Sequence, residues 1–330
     1  MTVLVTGGAG YIGSITTRLL IERGFDVVVL DSLELGHRAA VNNVPLVVGD
    51  IADGELVRQV CRNHKISDVV HFAAYKAVGE SMQNPTKYFD NNVVGAHALI
   101  AAASDTGVAN FVFSSTASIY GDPDIVPVTE DAEVRCESVY AATKRMTEQI
   151  LEWYSATRNL RSVSLRYFNA AGASSDGTLG EDWRYSQNLV PHVMKALLGF
   201  APALKVFGND YPTPDGTGIR DYIHVEDLAE SHVAALQYLR RGGDTMICNV
   251  GTGVGTSVMD IISATERVTG RAVPFDFAPR RAGDPARYFA NASKAEHVLG
   301  WTSRRSLDDI IASAYAWHSA HPHGHSGPQA

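Results

Sequence analysis

Between the β-branched run Val3-Leu-Val5 and an amphipathic stretch, the chain reads Thr6-Gly-Gly-Ala-Gly-Tyr-Ile-Gly13. Four glycines in seven residues restrict what this segment can become. The spacing suits a strand that turns sharply into a helix. Gly7 and Gly8 permit the turn, Gly10 lets a phosphate approach the main chain, and Gly13 lets the helix pack closely on the strand. The free N–H groups and positive end of such a helix attract phosphates. Ile12, Ile15, Leu19 and Leu20 supply the helix's apolar stripe, and Gly24 marks its end.

Downstream, short β-branched runs alternate with long amphipathic ones. Strands are expected over residues 3–5, 27–30, 46–48, 69–72, 111–114 and 162–166, with long helices over 85–106 and 139–159. This alternation predicts an α/β fold, a Rossmann-type doubly wound parallel sheet covered by helices. After Asn169 the texture turns to Gly, Ser, Asp and Pro with shorter periodic pieces. The expected division is therefore a nucleotide-binding domain over 1–170 and a smaller mixed α/β C-terminal substrate domain over 171–330, some segments of which return to the first. Asp31 ends the second strand 18 residues beyond Gly13. A carboxylate there accepts hydrogen bonds from an adenosine ribose and repels a 2′-phosphate. With the next arginine downstream at Arg38, NAD is the expected cofactor rather than NADP. Asp50, after the third strand, suits the adenine edge.

Composition narrows the partners. Of 330 residues, 45% are hydrophobic and 19% charged, enough to bury a full core. The net charge of −8, with no long basic block, argues against nucleic acid and anionic membrane. The longest apolar stretches, such as 93–103, fall short of the roughly 20 residues a bilayer helix needs. The first residues lack a basic n-region, so no signal peptide and a cytoplasmic address are expected. Cys61, Cys136 and Cys248 have no Cys-x-x-Cys spacing and suit a reducing compartment. The tail 318–330 carries His321, His323 and His325 among Pro and Gly. It reads as a frayed terminus, with a metal-binding tract as the alternative; no metal is expected at the site.

Tyr140 and Lys144 stand four apart on an expected helix, which puts phenol and ammonium on one face. At about 5 Å and an effective dielectric near 20, the ammonium favours the phenolate by roughly 3 kcal/mol, or about two pK units. The spacing thus predicts a phenol usable as a base near neutral pH. Thr116 follows a strand end, 24 residues before Tyr140. Its hydroxyl both donates and accepts, which suits a bridge between Tyr140 and a sugar oxygen.

The glycine turn, a strand ending in Ser114-Ser115-Thr116 and the Tyr140-x-x-x-Lys144 pair together resemble the extended short-chain dehydrogenase/reductase family. Within it the chain is similar to the UDP-hexose 4-epimerases over nearly its whole length. The stretches that carry this likeness are His71-Phe-Ala-Ala-Tyr-Lys-Ala-Val-Gly-Glu-Ser81, Tyr88-Phe-Asp-Asn-Asn-Val-Val-Gly95, Arg166-Tyr-Phe-Asn169, Phe207-Gly-Asn-Asp-Tyr-Pro-Thr213, Asp215-Gly-Thr-Gly-Ile-Arg-Asp-Tyr-Ile-His-Val225 and Pro279-Arg-Arg-Ala-Gly-Asp284.

The resemblance implies NAD-dependent epimerisation at C4 of UDP-glucose and UDP-galactose through a transient 4-keto sugar. Tyr140, Lys144 and Thr116 would be catalytic. Tyr11, Ile12, Ile51, Phe72, Ala73, Lys76, Asn91, Ser114, Tyr167 and Phe168 would join Gly7, Gly10, Gly13, Asp31, Asp50, Tyr140 and Lys144 around NAD. Lys76, Thr116, Asn169, Asn188, Leu189, Val206, Phe207, Arg220, Arg281, Asp284 and Tyr288 would hold the UDP-sugar, the arginines on its diphosphate. Two arginines suit a phosphate pair by their fork geometry. The family also implies a homodimer packed through helices near 90–104 and 140–156.

Some positions depart from the pattern. Val139 and Ala141 flank Tyr140 where Pro and Gly are usual, Thr116 replaces the commoner serine, and Ala74-Tyr75 stands where Gly-Leu is frequent. These bear on turnover rate more than on reaction type. A 4,6-dehydratase of the same family is expected to carry an Asp-Glu pair after the catalytic Ser/Thr, where this chain has Ala117-Ser118. An NAD-binding regulator without catalysis is expected to lose the Tyr-Lys pair.

Overall fold

The computed structural model describes residues 1–281 and 283–325. The strands begin with β1 (Thr2–Thr6), β2 (Asp26–Asp31), β3 (Leu46–Val48), β4 (Ile66–His71), β5 (Asn110–Ser114) and β6 (Arg161–Tyr167). The chain then runs through β7 (Asn169–Ala171), β8 (Leu204–Phe207), β9 (Ile219–Arg220) and β10 (Tyr222–His224) before β11 (Met246–Val250). Last come β12 (Thr256–Ser257), β13 (Phe275–Ala278) and β14 (Arg287–Tyr288). The main sheet has seven parallel strands in the order β11-β6-β5-β4-β1-β2-β3. Strand order reverses beside β1, and in such sheets ligands bind outside the carboxyl ends at the reversal.

The helices are α1 (Tyr11–Glu22), α2 (Gly54–Asn63), α3 (Val78–Gln83), α4 (Pro85–Phe89), α5 (Ala96–Asp105), α6 (Val139–Arg158), α7 (Leu189–Leu197), α8 (Val225–Arg240), α9 (Val258–Thr269) and α10 (Leu307–Ala320). Period-2 alternation sends β-strand side chains to two separate cores. Val3, Val5, Val27 and Val29 pack with Leu20 of α1 and Leu228, Leu236 and Leu239 of α8. Leu4, Val28, Val69, Phe111 and Phe113 pack on the other face with Val57 of α2, Leu99 and Ile100 of α5 and Leu151 of α6. The chain thus returns to the nucleotide lobe for α8 and β11. A third core joins Val193 and Met194 of α7, Ile261 and Ile262 of α9 and Ile310 and Ile311 of α10 in the second lobe.

Two expectations need correction. The helix expected over 85–106 is interrupted by a wider π turn at Asp90–Gly95. There the Asn92 carbonyl accepts a hydrogen bond from Thr147 of α6 at 3.0 Å, and the Asn92 side chain clasps the main chain of Tyr75. Such π turns arise where a helix re-aims a side chain, often at a functional site. The tail, read as frayed, is packed through His325. His318 stacks on Trp183 with centroids 4.6 Å apart, and His321 stacks on Trp317 at 4.0 Å. The Trp317 indole N–H donates to the Glu181 carbonyl at 3.0 Å, and His325 Nε2 lies 3.2 Å from the Gly180 carbonyl. Flat imidazoles on indole faces bury apolar area without losing their polar edges, which is why this histidine-rich stretch holds its place. Residues 326–330 of that tail lie outside the described residues.

A buried ion pair fastens α6 to the sheet. Glu148 accepts from Arg166 Nε at 2.9 Å and Nη2 at 2.7 Å, and from Ser115 Oγ at 2.7 Å. Arg145 reaches its second oxygen at 3.1 Å. The Glu148 side chain is 0% exposed and that of Arg166 3%, so either alone would be a buried charge without its partner. Glu148→Ala is expected to lower unfolding free energy by roughly 3–5 kcal/mol. Glu148→Leu combined with Arg166→Met is expected to cost clearly less than Glu148→Ala alone. Urea midpoints with unchanged m-values check both.

Candidate active site

The carboxyl ends of β1, β4, β5 and β6 open on the glycine turn. Gly7 has φ +71°, and a Cβ there would lie 2.5 Å from the Ala73 amide nitrogen. A Cβ on Gly13 would lie 2.1 Å from the Gly7 carbonyl oxygen, so only glycine lets α1 sit this close to the turn. The first turn of α1, Tyr11-Ile-Gly-Ser14, carries no acidic side chain, and its N-cap Gly10 has no side chain to cap it. The buried Asp31 accepts from the main-chain nitrogens of Ala9 at 2.9 Å and Leu33 at 2.8 Å. Its remaining lone pairs are available to a ribose hydroxyl. A turn that only glycine can make, an uncapped helix start and an acceptor at the end of β2 fit a dinucleotide such as NAD.

The other residues expected around the cofactor lie at or just past the ends of β3, β4, β5 and β6, in the first turn of α1 and in the π turn. Asp50 lies past β3 and accepts from the Ala52 amide at 2.8 Å. Ile51 is buried against the second core, which leaves its main chain for a ligand. Phe72 and Ala73 continue from β4, and Phe72 packs on His232 with centroids 4.7 Å apart. Tyr11 donates to the Gly172 carbonyl at 2.6 Å, which ties the glycine turn to the second lobe. Ile12 packs inward in the stripe with Ile15. Asn91 sits in the π turn and donates to Asn92 Oδ1 at 2.8 Å. Ser114 donates to the Tyr167 phenol oxygen at 3.0 Å, and Phe168 lies against Tyr288.

Tyr140 and Lys144 share one face of α6, turned toward the end of β5. The Lys144 ammonium donates to the Ser114 carbonyl at 2.9 Å and sits 5.9 Å from the Tyr140 ring centroid. Thr116 caps the short turn Ala117–Tyr120, accepting from the Ser118 amide at 3.2 Å. The Tyr140 main-chain N–H donates to Ser81 Oγ at 3.2 Å, which pins the start of α6 to α3. The expectation of a phenol acidified by lysine needs correction. Burial pushes the Tyr140 phenol above its ordinary range, the neighbouring Tyr167 adds to that, and the Thr116 hydroxyl pulls the other way. Burial also pushes Lys144 down to about 7, against the pull of Glu148. Desolvation, which the spacing alone does not report, outweighs the pairwise attraction.

On the second lobe, Asn169 donates to the Asp221 carbonyl at 2.9 Å. Asn188 is the N-cap residue before Leu189, the first residue of α7. The Arg281 guanidinium lies 3.9 Å from the Phe207 ring centroid. Arg220 donates to the Ile219 carbonyl at 2.9 Å and has Asp284 3.7 Å away. Tyr288 is buried and donates to the Ala117 carbonyl, its ring 4.9 Å from that of Phe168. Val206 differs from expectation: it is 1% exposed in the second-lobe core, so its side chain is not available to a ligand.

Sequence reasoning missed the acid that joins the lobes. Glu181 accepts from Lys76 Nζ at 2.9 Å and from Asn188 Nδ2 at 3.0 Å. It also missed Asp221, whose carboxylate accepts from the amides of Thr252, Gly253 and Ala290. Glu181 belongs to no pattern of fixed spacing and lies 105 residues from Lys76; Asp221 falls within the stretch 215–225, but nothing local marks its partners at Thr252, Gly253 and Ala290. Among the described residues, no three His, Cys, Asp or Glu side chains gather as a metal site.

A family model described as GDP-mannose 4,6 dehydratase matches residues 4–314. The chain is 44% identical over 327 residues to a UDP-glucose 4-epimerase of Lactobacillus helveticus, covering 98% of this chain and 99% of the relative. Among solved structures, it is similar to the Stenotrophomonas maltophila UDP-glucose 4-epimerase with bound NAD and formylated UDP-arabinopyranose. That similarity has a TM-score of 0.95 and 43% identity, over 98% of this chain and 99% of the other. It is also similar to the Bifidobacterium longum enzyme in complex with NAD+ and UDP, with a TM-score of 0.91 and 39% identity over 98% and 100% of the two chains. Likeness of this extent, carried from the glycine turn to the last helix, makes the chain a member of the UDP-glucose 4-epimerase family.

Proposed function

We propose that the protein interconverts UDP-glucose and UDP-galactose by NAD-dependent epimerisation at C4 through a transient 4-keto sugar. The observation that carries this reading is the convergence of Tyr140, Lys144 and Thr116 at the carboxyl end of β5, beside the glycine turn. Gly7, Gly10, Gly13, Asp31, Lys76 and Asn91 would hold the dinucleotide. When bound, NAD supplies a reversible oxidant for C4 and a fixed positive charge near the phenol. Tyr140 takes the proton of the sugar 4-hydroxyl and returns it, with the Thr116 hydroxyl relaying between them. Lys144, anchored on the Ser114 carbonyl, steadies the negative charge that the phenol acquires. Arg220 and Arg281 grip the diphosphate, and Phe207 lies beside the base. A sugar anchored through its diphosphate can turn its other face to the same phenol, which is what inversion at C4 requires.

A dehydratase reading draws on the name of the matching family model, but Thr116 is followed by Ala117-Ser118. The protein has no carboxyl pair at that step of the sequence. We assign residues 1–170 to NAD and most of 171–330 to the UDP-sugar. Among the described residues no helix is long and apolar enough to cross a membrane. A homodimer through the helices near 90–104 and 140–156 is supported by apolar side chains that these segments leave in solvent: Val94 at 59%, Met146 at 40% and Trp153 at 71% exposure. Met146 and Trp153 lie two helical turns apart, on one face of α6.

Incubation with UDP-glucose, UDP-galactose and dTDP-glucose, followed by proton NMR of the anomeric signals, tests the reaction. Interconversion of the two UDP-hexoses is expected; loss of water to a 4-keto-6-deoxy sugar would make it a dehydratase. Tyr140→Phe is expected to lower kcat at least 10²-fold, the scale of a lost acid/base, while UDP binding measured by calorimetry stays close to wild type.

Tyr288 fills the sugar end of the pocket, so an N-acetyl group is expected to be crowded by about 1–3 kcal/mol, roughly a 5- to 150-fold handicap. UDP-glucose and UDP-galactose should be preferred over their N-acetyl forms, and Tyr288→Cys should narrow that gap. Values of kcat/KM for all four sugars in both proteins check it; equal preference in the wild type would remove Tyr288 as the gate. For the dimer, Trp153→Glu is expected to halve the mass seen by light scattering, and a wild type that runs as a monomer would refute it.

A further inference from the structure

Tyr75 stands where the family pattern has leucine, and the reaction above does not use it. Its phenol donates to Glu34 Oε2 at 2.5 Å. Glu34 belongs to the loop that follows β2, Tyr75 to the loop that follows β4. In the sheet, β1 lies between those two strands, and the glycine turn leaves β1 at the same end. The hydrogen bond therefore passes over the carboxyl end of β1, where the phosphates and adenosine of a dinucleotide are held on the reading above.

The two ends of this bridge differ. The Tyr75 main chain is clasped by Asn92, whose side chain accepts from the Tyr75 amide and donates to the Tyr75 carbonyl, both at 3.0 Å. The Lys87 ammonium sits 4.0 Å from the Tyr75 ring centroid and is itself held by Glu80 at 2.8 Å. Glu34 is exposed, three residues past Asp31. One end is tied through both its main chain and its ring, whereas the Glu34 amide reaches only Ser32 Oγ, at 3.4 Å.

We propose that Tyr75 and Glu34 form a strap across the dinucleotide site that slows both the entry and the escape of NAD. The proposal rests on the NAD reading of the preceding section. Protein atoms satisfy both ends of the strap, so opening it costs the same whether a nucleotide is arriving or leaving. Removing it changes both rates by one factor and leaves the affinity as it was. A leucine at position 75, as in the family pattern, has no donor with which to make the strap.

The test is exchange of the bound nucleotide for isotope-labelled NAD in the purified holoprotein, followed by mass spectrometry of the protein-bound fraction. Tyr75→Phe and Glu34→Ala are each expected to speed exchange about 3- to 10-fold, the scale of one solvent-exposed hydrogen bond. The double variant should exchange no faster than the singles, since both remove the same bond. The fraction of NAD retained at equilibrium after dilution should match wild type in all three. Unchanged exchange in both single variants would overturn the strap. So would faster exchange matched by a proportional loss of retained NAD, which would make Tyr75 a direct nucleotide contact. A wild-type protein that neither carries nor takes up NAD would overturn the NAD reading itself, and the strap with it.

Discussion

The arrangement of Tyr140, Lys144 and Thr116 depends on one buried carboxylate. Glu148 lies one helical turn beyond Lys144 on α6 and accepts from Ser115 at the end of β5. Lys144 reaches the carbonyl of Ser114, and Thr116 follows directly. A single face of α6 therefore grips consecutive residues of one strand end, and Arg166 on the next strand completes the clamp. The distance from phenol to threonine hydroxyl is set by helix-to-strand docking and not by the loops around it. This is the rigid backing that a proton-transfer site needs. The same charge draws Lys144 back toward its ammonium form against burial.

Much of the nucleotide lobe was legible in the sequence because its signals are local. Period-2 runs around Val3, Val27 and Phe111 and the glycines at 7 and 13 report what one strand or one turn requires, and the structure uses them in those ways. The positions of Tyr140 and Lys144 on one helix face followed from spacing for the same reason. The π turn at Asp90–Gly95 did not, since it depends on Thr147 and Tyr75, neither of which is near it in sequence. Nor did Glu181 or Asp221, which work by joining segments far apart in the chain.

The chemistry of the pair shows a second limit. Spacing gives the attraction between a phenolate and an ammonium, but not the cost of removing both from water. In the protein alone that cost dominates, raising the phenol and lowering the lysine. On the proposed reading, charge brought in by the bound cofactor would act against that cost.

The packed tail has a practical side. Trp317 and His325 meet the main chain of Glu181 and Gly180, next to the acid that holds Lys76 and Asn188. The last described residues thus form a wall of the second lobe. A purification handle or fusion partner joined after Ala330 is separated by five residues from a group that touches this wall. At the other end, Met1 is 83% exposed and precedes β1 on the side of the sheet away from the glycine turn. Appendages, immobilisation chemistry and circular joins are accordingly better tolerated at the start of this chain than at its finish.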